Sequence, residues 1–183
     1  MLKVNVKDLK DRTIVLHIEE RPEFFDLSDK DFLFIDRVRG DVEFQRLENE
    51  IIAEGHLHAT VRTHCVRCLN AMQLTLEPEV HLIYAHDRSL LSNGVVVEVG
   101  TDVPIYYDGE TINPRDDFRE LILMDLPNFP VCSQNCKGLC AGCGANLNRE
   151  PCRCHQKAEK SAEAWKRQLR NIKLGGRDVN QSK

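Results

Sequence analysis

The chain has little aromatic surface to bury. Phe, Tyr and Trp make up 6% of its 183 residues, and there is a single Trp. Aromatics contribute the largest buried areas, so the length suits one domain with an appendage, or two small domains, around a modest core. Long apolar runs are also missing. No window approaches the ~18 consecutive apolar residues of a membrane-spanning helix, so no such span is expected. The opening MLKVNVKDLKDRTIV alternates apolar and charged residues. It lacks the apolar stretch of a secretory signal and the acid-poor, Arg/Ser-rich character of a transit peptide. There is no P-loop, nucleophile elbow, dinucleotide fingerprint or HExxH helix. The pairs Glu19-Glu20 and Asp116-Asp117 fit solvent or helix-end roles better than acid–base work. With no catalytic constellation in view, the expectation is a non-enzymatic protein of a reducing cytoplasm, most simply a bacterial one.

What the chain does have is charge and clustered sulfur. Charged residues are 30% and apolar residues 42% of the total, which places it among globular rather than disordered chains. The net charge of −4 is unevenly spread. From Cys152 onward nine Lys/Arg face three acidic residues, so this end is basic and the preceding body acidic. The tail is suited to a phosphate backbone and the body is not.

All eight cysteines lie in two short stretches, HCVRCLN and VCSQNCKGLCAGCGANLNREPCRC. In a reducing compartment such clusters read as metal ligands or redox groups rather than disulfides. A C-x-x-C turn presents two thiolates to one ion, and Gly144 after Cys143 is the small residue such a turn favours. Zinc takes four ligands in a tetrahedron, so eight thiolates match two zinc ions. Three pairings are open. Cys140, Cys143, Cys152 and Cys154 as one local knuckle, with Cys65, Cys68, Cys132 and Cys136 as the second site, is favoured because the knuckle closes a short loop. The rivals are a ribbon of Cys65, Cys68, Cys140 and Cys143, and a set of Cys132, Cys136, Cys140 and Cys143. Iron–sulfur clusters also use four thiolates, and a zinc–thiolate redox switch stays open. His64 and His155 stand beside ligand positions as possible substitutes, although a polar role beside a metal loop is the simpler reading.

Residues 1 to about 100 read as β-rich. DFLFIDRVRGDVEF suggests a hairpin turning at Arg39-Gly40-Asp41. LHATVRT alternates, with Leu57, Ala59 and Val61 on one face. LTLEPEVHLIY alternates too, and its Pro78 implies an edge or a bulge. HCVRCLN then falls at a hairpin tip between these strands. SNGVVVEVG is a further candidate strand. INPRDDFRELILMDLP predicts a helix capped by Asn113, with Pro114 at its first position, Asp116 and Asp117 in its first turn, Phe118, Leu121 and Ile122 on one face, and Pro127 as its stop. A last helix is expected from about Gln156 to Leu174. Its stripe of Ala158, Ala162, Trp165, Leu169 and Ile172 would pack inward. Candidate RNA-contacting residues are Lys137, Arg149 and Arg153 in the cysteine region and Lys166, Arg167, Arg170 and Lys173 on this helix; a merely solvated basic face is the alternative.

Three elements in order carry a family resemblance: HCVRCLN, INPRDDFRELILMDLPNFPVC, and CKGLCAGCGANLN followed by CRC. Together they resemble the YceD-like family of large ribosomal RNA subunit accumulation proteins, over roughly residues 30 to 155 and weakly into the last helix. One departure is visible: relatives often carry Asp-Pro-Arg near the start of that helix, where this chain has SAEAW. The resemblance implies that the eight cysteines bind metal. It also implies a role in synthesis, processing or stability of large-subunit ribosomal RNA, in the bacterial or plastid lineage.

The expected architecture is α+β: a twisted antiparallel β-sheet with a packed helix and a Cys-rich zinc-binding C-terminal module. Its parts are a β-rich domain at 1–127, the zinc module at 128–155, and a basic helix and tail at 156–183. The expected partners are ribosomal RNA or large-subunit precursor particles, or a ribosomal protein. The functional alternatives are a zinc-dependent adaptor, whose acidic body would suit a basic protein, and a redox-sensitive zinc–thiolate protein.

Overall fold

A 15-residue strand organises the first part of the computed structural model. The structure describes residues 2–10, 12–47, 50–86, 104–152, 154 and 165–169. The chain divides into two units, Met1–Cys65 with Asn70–Cys132, and Val66–Leu69 with Ser133–Lys183.

In the first unit, β5 (Glu50–His64) pairs antiparallel with β4 (Val38–Leu47), β7 (Glu79–Ala85), β6 (Ala71–Leu76) and the short β3 (Leu33–Phe34). Its sequence alternates strictly enough to explain this. Ile51, Ala53, Leu57, Ala59 and Val61 are buried, while Glu54, His58 and Arg62 point to solvent. One strand can therefore serve a core and an open face at once. β2 (Ile14–Glu20) pairs with β4, giving the order β2-β4-β5-β7-β8. β8 (Ile105–Tyr106) runs parallel to β7, so the sheet is mixed at this position rather than wholly antiparallel as expected. β1 (Val4–Asn5) and β9 (Thr111–Ile112) form a separate two-stranded ladder.

Two sequence expectations about this sheet need correction. Arg39-Gly40-Asp41 is not a turn; β4 runs straight through it. Gly40 is there because β4 and β5 approach closely: a Cβ would run into the carbonyl of His56 and lie 2.9 Å from Cδ2 of Leu57. Gly55 on β5 is its counterpart, with the carbonyl of Asp41 in the way and Cα of Val42 at 2.8 Å. Pro78 is not a bulge within one strand but a break between β6 and β7. Proline has no N–H to give the ladder. Its carbonyl still accepts from the Leu57 N–H at 3.0 Å, and the register against β5 is the same on both sides of the break.

The buried face holds the core: Val42 and Phe44 of β4, Ile51 and Leu57 of β5, Tyr84 of β7, and Phe118 and Ile122 of α1 (Arg115–Met124). Phe44 and Tyr84 stack with ring centroids 6.3 Å apart. The helix carries Asp116 and Asp117 in its first turn as expected, but Asn113 does not cap it. Pro114 is the N-cap and its carbonyl accepts from Phe118 N–H at 2.9 Å, with no side-chain cap. The helix ends at Met124, ahead of Pro127. From α1, Arg115 reaches the Phe24 carbonyl (2.5 Å) and lies over the Phe24 ring (5.8 Å), holding the 3-10 turn Pro22–Phe25.

SNGVVVEVG lies outside the described residues. Of the last helix, residues 165–169 are described and are helical. Trp165 and Leu169 are 61% and 47% exposed, so the expected inward packing is not met at these two positions; Ala158, Ala162 and Ile172 lie outside the described residues. Among the described residues of the second unit only Cys68, Cys136 and Gly138 are buried.

Tyr84 donates its hydroxyl to Asp117 Oδ2 at 2.7 Å beneath the core. Burial raises both groups, and for Asp117 the Tyr84 hydrogen bond partly opposes it. Tyr84→Phe keeps the ring and strips a half-buried carboxylate of its donor. We expect a loss of about 1–3 kcal/mol at neutral pH. Because a protonated Asp117 needs that donor less, the loss should shrink as acid protonates the carboxyl. Chemical denaturation at pH 7 and in mild acid measures both.

Candidate metal centres

None of the eight cysteines forms a disulfide. They gather into two sets, in each of which the sulfurs lie within 4.8 Å of one another: Cys65, Cys68, Cys132 and Cys136, and Cys140, Cys143, Cys152 and Cys154. This is the favoured pairing; neither rival set is formed. His64 is exposed and belongs to neither set, and His155 lies outside the described residues.

The second set is built by a tight local loop. The Cys140 N–H donates to the Ala145 carbonyl and the Gly144 N–H to the Cys140 carbonyl, both at 2.8 Å. Gly144 takes φ +72, a conformation that costs glycine nothing. Leu139 and Asn146 bridge behind the loop. Gly142 answers a different need: a Cβ there would stand 2.9 Å from the Cys154 sulfur. The Cys140 sulfur lies 3.0 Å from Cys152 and 3.8 Å from Cys154, and Cys143 lies 3.7 Å from Cys152. Four sulfurs at about 2.3 Å from a central ion have edges of about 3.8 Å, so the set needs little adjustment to close on one. Hydrogen bonding to Cys152 and to the backbone N–H groups of Gly142 and Cys143 lowers the Cys140 thiol to about 6. Its neighbours are pushed the other way: Cys143 and Cys152 raise Cys154 to about 12, and Cys140 raises Cys152. Thiols this crowded cannot all ionise without a cation among them.

Of the first set, Cys65, Cys68 and Cys136 are buried and Cys132 is exposed. Cys65 and Cys68 flank the β5–β6 turn, as expected from HCVRCLN, closed by Cys65 N–H to the Asn70 carbonyl at 2.9 Å. Within the second unit the surroundings of Cys68 and Cys136 are fixed by residues that sequence reading missed. The Arg67 guanidinium donates to the carbonyls of Gln134 and Cys136, each at 3.3 Å, and its own carbonyl accepts from Leu139 N–H at 3.1 Å. Asn148 donates to the Cys136 sulfur at 3.4 Å and accepts from Lys137 N–H at 2.8 Å. Asn146 Oδ1 in turn accepts from the Asn148 side chain at 3.0 Å. The one signal for this clamp was the Asn-Leu-Asn run after a glycine-rich turn.

Lys137 and Arg149, two of the candidate RNA contacts, are exposed beside this clamp. The Arg149 N–H donates to the Asn146 carbonyl at 2.9 Å, so the backbones of both are tied to the same Asn pair. Lys166 and Arg167 are exposed on the 165–169 helical segment; Arg153, Arg170 and Lys173 lie outside the described residues.

The family model described as large ribosomal RNA subunit accumulation protein YceD matches residues 53–173, from β5 through both cysteine sets and into the last helical segment. Among curated proteins, an uncharacterized protein of Mycobacterium leprae is 25% identical over 119 residues, covering 65% of this chain and 53% of that protein. An uncharacterized protein of Mycobacterium tuberculosis is 26% identical over 120 residues, covering 65% and 56%. A Zea mays protein named large ribosomal RNA subunit accumulation protein YCED homolog 1, chloroplastic, is 25% identical over 130 residues, covering 58% and 44%. The chain thus spans about half the length of the curated relatives it matches. No solved structure matches it.

Asn148→Ala removes the donor to Cys136 while leaving every thiol in place. Outer-shell changes of this kind cost roughly 10–100-fold in metal affinity. We expect faster loss of one metal equivalent to a chelator, with the other unaffected; release followed by a chromophoric chelator reads both.

Proposed function

The chain belongs to the family of large ribosomal RNA subunit accumulation proteins YceD, and we propose that it is a non-enzymatic factor in the synthesis, processing or stability of large-subunit ribosomal RNA, structured by two zinc ions. The observation that carries the zinc reading is the pair of four-thiol sets. Zinc bound there would have four sulfur ligands and no open position for water or substrate, which is the pattern of a structural rather than a catalytic ion. The close S–S spacing favours a single ion in each set. An iron–sulfur cluster interposes several atoms between its thiolates and holds them farther apart. Cys65, Cys68, Cys132 and Cys136 would hold one zinc, and Cys140, Cys143, Cys152 and Cys154 the other. A reducing cytoplasm is the compartment in which eight cysteines stay out of disulfides.

The family name supports RNA as the partner, and exposed cations of the second unit support a surface for it. Lys137 and Arg149 emerge from backbone held by Asn146 and Asn148, beside metal-ligand positions. Lys166 and Arg167 are exposed farther along the chain. Cations fixed on a rigid knuckle suit the phosphates of folded RNA, which is recognised by shape and backbone more than by sequence.

Cys140→Ser is expected to lower the zinc content from two ions per chain to one and to abolish the thermal transition of the second unit, read by elemental analysis and calorimetry. Unchanged metal content would overturn the zinc reading.

Lys137→Glu with Arg149→Glu should keep both metals and weaken binding to large-subunit ribosomal RNA fragments about tenfold or more at low salt, with a shallower salt dependence. In a lysate the tagged protein should sediment with immature large-subunit particles. A protein that sediments only as a small RNA-free complex would favour the adaptor reading instead.

A further inference from the structure

The outer face of the large sheet carries a pattern that neither the family nor the metal reading uses. Strands β2, β4, β5 and β7 cross it in register, and a central row reads His17, Asp41, His56, Glu79. On one side of this row Glu19 faces Arg39, Arg39 faces His58, and His58 lies 3.5 Å from Glu77. On the other side Val15 faces Glu43, Glu43 faces Glu54, and Glu54 faces His81. Of these twelve positions six are carboxylates, four are histidines, one is arginine and none is lysine. The whole chain has 29 acidic against 25 basic residues, so this face departs sharply from the mean.

Three features show that the negative charge is retained at a cost. Glu43 directly opposes Glu54, an arrangement of like charges that destabilises a sheet. Carboxylates are held by imidazoles (His17–Asp41 at 2.5 Å, His81–Glu54 at 3.2 Å) rather than by lysines. A neutral imidazole orients a carboxylate without cancelling its charge. These groups are also well exposed, with Asp41 and Glu77 side chains at 72%. A depression of about 440 Å³ opens among Arg39, Asp41, His56, His58 and Glu77; the Arg39 guanidinium on its rim is paired with Glu19 and Asp36, which leaves Asp41 and Glu77 for one incoming guanidinium or ammonium head group.

We propose that this sheet face docks a lysine/arginine-rich polypeptide segment in extended form. Asp41 and Glu43 are two residues apart on β4. That is about 6.7 Å along a strand, the repeat of alternate side chains in an extended peptide. Adjacent rows of carboxylates then offer partners to successive cations, and the sign of the face excludes nucleic acid. The inference does not depend on the second unit binding RNA.

The test uses the full chain and a fluorescein-labelled twelve-residue peptide of alternating Arg and Ser, followed by anisotropy. Binding should weaken as salt rises. Asp41→Lys with Glu79→Lys should weaken it at least tenfold. Asp108→Lys with Glu120→Lys, which makes the same change of net charge away from this face, should leave it within twofold. Asp41→Asn with Glu79→Gln removes charge with almost no change of shape, and should give a smaller loss in the same direction with an unaltered melting temperature. Absence of binding, or equal losses from the two charge reversals, would overturn the proposal.

Discussion

The second unit has sulfur where most small domains have hydrocarbon, and nearly everything described in it follows from that substitution. Cys68, Cys136 and Gly138 are its buried residues among those described. Burying so few groups cannot offset the conformational entropy of ordering the segment. Cohesion has to come from the thiol sets, and thiols drawn this close repel once ionised unless a cation joins them. A metal bound by these sets would make folding of the unit and its own occupancy one equilibrium. The glycines and asparagines shape those sets. Gly142 leaves room for the Cys154 sulfur, Gly144 supplies a left-handed turn, and Asn148 hydrogen-bonds the sulfur of Cys136.

The first unit solves the same problem with a hydrophobic core. β5 contributes buried side chains along its whole length and hydrogen-bonds to four other strands, so the core and the sheet share one organising element. Phe118 and Ile122 of α1 close the apolar side, leaving the opposite face to charged residues.

Local chemistry was legible in the sequence and spatial convergence less so. The cysteine spacing gave the knuckle because ligands close in sequence are also close in space. Alternation gave Leu57, Ala59 and Val61 their buried face. Gly40 misled because a glycine between apolar runs signals a turn as readily as a close strand crossing, and only the position of β5 separates the two. Trp165 and Leu169 misled because helical spacing marks an apolar face without saying whether anything covers it; both are exposed. Arg67 and Asn148 carried no motif of their own. Their partners are backbone carbonyls and a sulfur at positions that composition does not mark. The histidine–carboxylate face was invisible for a related reason, since its rows exist only once four strands are set in register.

That register raises a question of folding fidelity. Slipping β5 by one residue against β4 would turn Glu54 and His56 inward, an error that burial penalises at once. A slip of two residues escapes this penalty because inward and outward faces are preserved. It would, however, bring Ala53 or Leu57 to the place Gly55 occupies, where a Cβ meets the carbonyl of Asp41. The two glycines therefore reject the misalignment that hydrophobic patterning cannot detect, and they do so through missing atoms rather than through any contact they make.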